Sequence, residues 1–275
     1  MKIRSHGLRS WGIGGGLIAA VFAVWMFFFP ELAVTHFAWP VEPRLTQIFI
    51  GAGYIFRTGF FFTVAFEPAW HRIRWIYWGN LVFTGTLLLA TFWHMDAFNW
   101  FFVTAHLWII LYIVEPVTML YLVPREPAAW TEVPTPRGAI RPALKWFLVA
   151  ETCILLTFGL LLVLNPQFVD LRWPWPLNPL DARIIAAWFL GWAAWAGTMA
   201  FATDWDEIRL AARLNILFGA ALIGTFIAFF SQFDFTRVTT GAYMGGVVVL
   251  TLAMFFFYWR QERAPLPPQT TASES

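Results

Sequence analysis

Apolar stretches of about 20 residues recur along the whole chain, matching the roughly 30 Å hydrocarbon core of a bilayer. In lipid a helix satisfies its own backbone hydrogen bonds, so each stretch predicts a transmembrane helix. Eight can be drawn, over residues 11–29, 45–66, 75–95, 101–123, 144–164, 182–203, 212–230 and 241–259. Segments rich in Pro, Asp, Asn and Arg, such as Pro30 to Arg44 and Asn165 to Asp181, separate them and end the helices.

The same pattern is written twice. Thr63, Ala65, Phe66, Trp70, Ile73, Arg74, Asn80, Phe83 and Leu87 reappear 135 residues later as Thr198, Ala200, Phe201, Trp205, Ile208, Arg209, Asn215, Phe218 and Leu222. Nine identities in register exceed the roughly two that so apolar a composition would give by chance, so the chain reads as an internal repeat. Four helices per copy keep both copies in one orientation, because an even number of crossings returns the chain to the same side. The expected fold is an all-α polytopic membrane protein, a 4+4 parallel tandem duplication with a pseudo-twofold axis along the membrane normal. Its parts are a first repeat over 1–123, a proline-rich linker over 124–143, a second repeat over 144–260 and a disordered tail over 261–275.

Composition agrees with lipid and narrows the classes. Charged residues make up 12% of the chain and hydrophobic residues 59%, whereas soluble domains carry about 25% charged residues. The basic residues are scattered among loops and form no stripe, which disfavours nucleic acid as a partner. Counted by side, thirteen Lys and Arg fall in loops on the N-terminal side of the membrane and four, Arg44, Arg172, Arg183 and Arg237, on the other. That excess predicts both termini in the cytoplasm. The basic start before the first span invites a signal-peptide reading, but Trp11 aligns with Trp146 of the internal fifth span, so the first span is expected to be an anchor. Few Lys beside Arg and no Asn-x-Ser/Thr acceptor fit a bacterial plasma membrane. Cys153 stands alone, which leaves no disulfide or cysteine metal cluster and predicts a small packing residue. No Walker A loop, dinucleotide fingerprint, HExxH or GxSxG is present, so an enzyme is disfavoured.

Candidate chemistry lies where polar groups enter apolar runs. Trp70 with Arg74, and Trp205 with Arg209, are spaced to share one face of a short interfacial helix, with cation–π stacking between them. Asn80 and Asn215 each need a hydrogen-bond partner inside the bilayer. Because both copies hold these six residues, they are expected to form scaffold. Arg57, Glu115 and Glu151 fall at comparable depth and have no charged counterpart, facing Trp192, Leu250 and Gly16 at the repeat offset. An intramembrane charge costs about 2.5–3.5 kcal/mol on insertion scales, so the three are expected to cluster, either as a proton-exchanging site or as a static ion pair. Glu115 precedes Pro116, which breaks a helix hydrogen bond at that level.

Three further groups are weaker signals. His94, Asp96 and His106, with His36, stand near one membrane face and are candidate metal or haem ligands, although single interfacial histidines more often serve as hydrogen-bonding residues. Trp188, Trp192 and Trp195 share one helix face and can wall a pocket for a quinone or other flat molecule, or simply pack; Trp192 is also expected to face Arg57 across the axis. Gly14 to Gly16, Gly191, Gly241, Gly245 and Gly246 are sites for close helix approach, and Trp39, Trp70, Trp75, Trp93, Trp100, Trp146, Trp173, Trp175, Trp205 and Trp259 suit an aromatic belt.

The leading functional reading is a small-solute or proton-linked permease or small-ligand-binding membrane protein, with no cofactor predicted. The alternatives are a non-catalytic subunit of a membrane complex and a haem- or quinone-handling redox protein. The partners expected are the lipid bilayer, a small-molecule ligand, and a membrane-protein partner or second copy.

Overall fold

The computed structural model describes residues 6–67, 69–122, 137–167 and 172–264, and among these it contains helices and no strand. Eight helices are long: α1 (His6–Phe28), α2 (Arg44–Phe66), α3 (Trp70–Trp93), α4 (Val103–Leu122), α5 (Pro142–Leu164), α6 (Pro179–Ala200), α7 (Trp205–Ala228) and α8 (Val238–Glu262). Seven of them are long and apolar enough to cross a membrane. The exception, α6, has comparable length at 22 residues but carries Asp181, Arg183, three Trp and two Gly. Its burial gives the physical reason, since a helix wrapped by other helices has little need of a lipid-like surface. Fifteen of its residues are buried.

Local chemistry sets the helix starts. Pro142 and Pro179 open α5 and α6 at positions where a missing N–H costs nothing. Asn178 caps α6 by accepting from the Asp181 N–H at 2.8 Å, and Asp204 caps α7 in a capping box with Glu207. The sequence boundaries for the third and seventh spans were set too late, because Trp70 and Trp205 are the first residues of long helices and belong to no separate interfacial helix. The expected tail also begins later, since Gln261 and Glu262 are helical and Gln261 donates to the Ala139 carbonyl at 2.9 Å. Most of the expected linker, residues 123–136, lies outside the described residues, as does the end of the tail from 265.

Within each half the first two helices pack together, as do the last two, whereas α2 against α3 and α6 against α7 make little direct contact. α2 packs on α1 and α7, whereas α3 packs on α6, α7 and α4. Likewise α6 packs on α5 and α3, and α7 on α8, α2 and α3. The core is thus built from α2, α3, α6 and α7, with α1, α4, α5 and α8 outside. Glycine allows the closest crossing: a Cβ at Gly79 would lie 2.7 Å from the Gly191 carbonyl oxygen, and one at Gly191 would lie 2.7 Å from Phe83 Cβ. Gly15 and Gly16 similarly meet the Phe61 and Phe62 rings. Gly14, Gly241, Gly245 and Gly246 do not make the close approach expected of them, as nothing lies within 4 Å of a Cβ at any of the four.

The loops at the end away from the termini reach across the bundle. Trp39 donates its indole N–H to Asp181 on α6 at 2.9 Å, and Trp175 donates to Thr46 on α2 at 3.1 Å. These tryptophans therefore depart from the expected aromatic belt, as do Trp173 and Trp205, because all four are buried. Trp93, Trp146 and Trp259 are exposed. Cys153 is exposed too, and so is not the packing residue expected.

Candidate functional site

Arg57 on α2 forms one side of a closed polar cluster. Its Nη2 donates to both carboxylate oxygens of Glu115, at 2.7 and 2.5 Å, and its Nη1 donates to Asn80 Oδ1. Asn80 then donates to Glu115 Oε1 at 2.7 Å and to the Met119 sulfur at 3.0 Å. The guanidinium also lies over the Phe61, Phe83 and Phe60 rings, at 4.6, 5.0 and 5.7 Å from their centroids. It does not stack on Trp192, whose ring instead stacks on Phe218 at 4.4 Å. Arg57, Glu115 and Asn80 are all buried, with the charge neutralised and each side chain hydrogen-bonded.

Glu151 stands apart from this cluster, correcting the expectation of a charged trio. It is 2% exposed on α5 and receives one hydrogen bond, from Asn215 Nδ2 to Oε1 at 3.0 Å. Among the described residues nothing pairs with its other oxygen, Oε2. The two repeated asparagines therefore do the same job, each holding a buried glutamate, but the glutamates come from different helices. Asn80 reaches α4 and Asn215 reaches α5.

A cavity of about 250 Å³ opens beside Glu151 and Asn215, between α5, α6, α7, α8 and the Trp173–Pro174 loop. Its walls are aromatic and apolar: Trp188 and Trp192 of α6, Phe218 of α7, Tyr243 of α8, and Trp173. Trp195, expected with them, packs instead edge-on against Phe56 at 4.8 Å and Phe60 at 6.1 Å. At the rim, Ile154 and Phe158 of α5 and Ala242 and Gly246 of α8 are exposed, so the opening faces the same surface as the lipid-facing sides of these helices. Arg172, also exposed, sits at the loop end of the lining.

The sequence held a signal for this cavity that motif reading misses. At the 135-residue offset, Leu107, Leu111 and Tyr112 of α4 become Ala242, Gly246 and Val247 of α8. Bulk that lines α4 is cut back on α8 where the cavity lies.

The remaining candidates separate. Arg74 pairs with Glu207 and lies over Trp75 at 4.7 Å, not over Trp70, whose ring meets Tyr77 at 5.2 Å in a tilted contact. Trp205 donates to Glu262 at 2.9 Å, and Arg209 faces Asp206 at 3.7 Å. Asp206 also gathers His71 and Arg72, both at 2.8 Å. At the opposite end His94 Nε2 lies 2.6 Å from the Arg183 guanidinium, which also covers Trp93 at 4.2 Å. Burial first, and then the Arg183 charge, hold the His94 imidazole below its ordinary value. His106 Nδ1 faces the Phe102 carbonyl at 3.2 Å, His36 meets Thr35, and Asp96 is exposed. Among the described residues no group of three His, Cys, Asp or Glu is arranged to hold a metal ion, so the expected metal ligands His94, Asp96 and His106 do not form such a group.

No protein-family profile, curated protein or solved structure matches this chain.

Proposed function

We propose that this is an eight-span membrane protein, built as two parallel four-helix repeats with both termini cytoplasmic, that binds a small lipophilic ligand in the Glu151 cavity. The observation that carries the binding reading is the unpaired Oε2 of Glu151 beside a cavity of about 250 Å³ walled by rings. Buried carboxylate oxygens are normally hydrogen-bonded, and one left free beside space sized for one or two rings is a place for a ligand. The Arg57 cluster supports the opposite assignment for itself. With every side chain engaged and the charge cancelled, it acts as a clamp between α2, α3 and α4.

Repetition and the eighth span draw support from matched boundaries. α3 and α7 are each 24 residues long and begin 135 residues apart, as do α4 and α8. Each of α3 and α7 is followed by a three-residue 3-10 turn, Met95–Ala97 or Phe230–Gln232. α6 then occupies the place of α2, and its apolar deficit reflects its burial.

The binding reading is tested by a thermal-shift screen of purified protein in detergent against neutral and charged one- and two-ring compounds. A binder is expected to raise the Tm of the wild type and not that of Ala242→Leu/Gly246→Leu, which restores the side chains present at Leu107 and Leu111. If no compound shifts the wild type, or every shift survives in the filled variant, the cavity is not a binding site.

A further inference from the structure

Resting on the binding reading above, we infer that the ligand of the Glu151 cavity is a monovalent organic cation that carries N–H donors on a ring-bearing apolar body. The first repeat supplies the template. There Asn80 and Glu115 hold a cation between them, and that cation, the Arg57 guanidinium, is covered by Phe60, Phe61 and Phe83. The second repeat keeps the asparagine and one ring, Phe218 at the position of Phe83, and its asparagine holds a buried glutamate from a different helix, Glu151; Phe60 and Phe61 give way to Trp195 and Ala196. It lacks the cation, because Trp192 stands at the position of Arg57.

A cavity occupies the space beside the unmatched carboxylate. An uncompensated intramembrane charge is costly, and a guanidinium or ammonium entering here would bring both the missing charge and a donor for Oε2. Trp188, Trp192 and Phe218, stacked on one another, give the same space an aromatic wall for the apolar body of such a ligand. Among the described residues no protein cation pairs with Glu151: Arg172 lies at the loop end of the lining, and Oε2 has no hydrogen-bond partner. The exposed rim between α5 and α8 suits a ligand with an apolar body arriving from the bilayer, and with Arg172 at the loop end Glu151 is the ionisable group at the inner end of the lining.

The probes are 2-phenylethylguanidinium and its neutral, equally sized counterpart 2-phenylethylurea, titrated against the full-length protein in nanodiscs by calorimetry. The cation is expected to bind saturably and at least about tenfold tighter than the urea, the scale of one charge-assisted contact. Glu151→Gln is expected to remove that preference and leave urea binding within about twofold. Ala242→Leu/Gly246→Leu is expected to abolish binding of both; nothing lies within 4 Å of a Cβ at Gly246, so the longer side chain there starts without a clash. Equal affinity for cation and urea, unchanged by Glu151→Gln, would overturn the cation assignment and leave the cavity reading standing. Binding of neither probe, together with a silent ligand screen, would overturn both.

Discussion

His71 and Asp206 hold the second positions of α3 and α7, 135 residues apart in the chain, and the imidazole Nε2 lies 2.8 Å from the carboxylate Oδ2. Two further pairs separated by the same 135 residues also meet. The Phe60 and Trp195 rings are 6.1 Å apart, and a Cβ at Gly53 would lie 2.4 Å from the Trp188 ring. In a twofold arrangement, like positions touch only near the line relating the two copies, so these are the contacts that the expected pseudo-twofold axis would produce. Separating α3 from α7 would expose the polar groups of the first pair. Asp206 is buried and accepts from His71 and Arg72 at once. Asp206→Asn is expected to cost about 2 kcal/mol, the scale of a lost charged hydrogen bond, read as a fall in the denaturation midpoint in detergent. His71→Ala should cost less in the Asp206→Asn background than in the wild type, and equal costs in both would show that the pair is not coupled.

Removing one ionisable group is expected to cost far more at the Arg57 clamp than at the Glu151 site. Arg57→Met leaves the Glu115 charge buried without its partner and is expected to cost about 3–5 kcal/mol. Arg57→Met/Glu115→Gln removes both charges and should recover most of that loss, since Gln can still accept from Asn80. Glu151→Gln keeps the bond from Asn215 and gives up no ion pair, so it should cost less than about 1 kcal/mol. Urea-induced unfolding of these three variants and of Glu115→Gln alone measures all of this. A full additive loss in the double variant would mean that the cluster is not a charge-compensating unit.

Sequence periodicity carries the helices because hydrophobic length is a local property, and the expected repeat rests on identities that fall in register. Pairing was less legible. The depth of Arg57, Glu115 and Glu151 in their spans is a one-dimensional coordinate, and it placed all three together although α5, carrying Glu151, lies outside α6 while α4, carrying Glu115, packs on α3. Helix-to-helix adjacency decides which charges meet, and nothing local in α5 encodes it. The tryptophans failed for a related reason: an indole near a span end suits a headgroup as well as a partner across the bundle, and Trp39 and Trp175 find Asp181 and Thr46. The cavity was legible in principle, in the change from Leu107 and Leu111 to Ala242 and Gly246, but only by comparing where the two copies differ in size as well as in charge.

Glycine positions divide by what surrounds them. α3 and α6 cross at Gly79 and Gly191, where an added Cβ at residue 79 would lie 2.7 Å from a backbone oxygen and 2.8 Å from Trp195 Cγ. Neither a backbone nor a packed indole can yield without shifting a helix, so Gly79→Ala is expected to cost about 1–3 kcal/mol by overpacking. Gly245→Ala, with nothing within 4 Å, should be neutral or slightly stabilising through helix propensity, by up to about 1 kcal/mol. Thermal unfolding of the two variants side by side checks the contrast, and similar melting temperatures would place the close crossing elsewhere.

His94 makes stability depend on pH at the end of the molecule away from the termini. In the fold its Nε2 faces the Arg183 guanidinium, so the neutral ring accepts a hydrogen bond that a protonated ring cannot, and Asp96 opposes this only in part. Burial and the neighbouring cation hold its folded value below the ordinary 6.5, so the unfolded chain takes up the proton first as the pH falls. Above about 6.5 both states are neutral and the contribution is complete; as the pH drops below that, through the lowered folded value, stability is lost. The wild type should therefore lose more melting temperature between pH 7.5 and 5 than His94→Gln, whose amide oxygen still accepts from Arg183 at every pH. If the two lose the same amount, protonation of His94 is not what weakens this end of the bundle in acid.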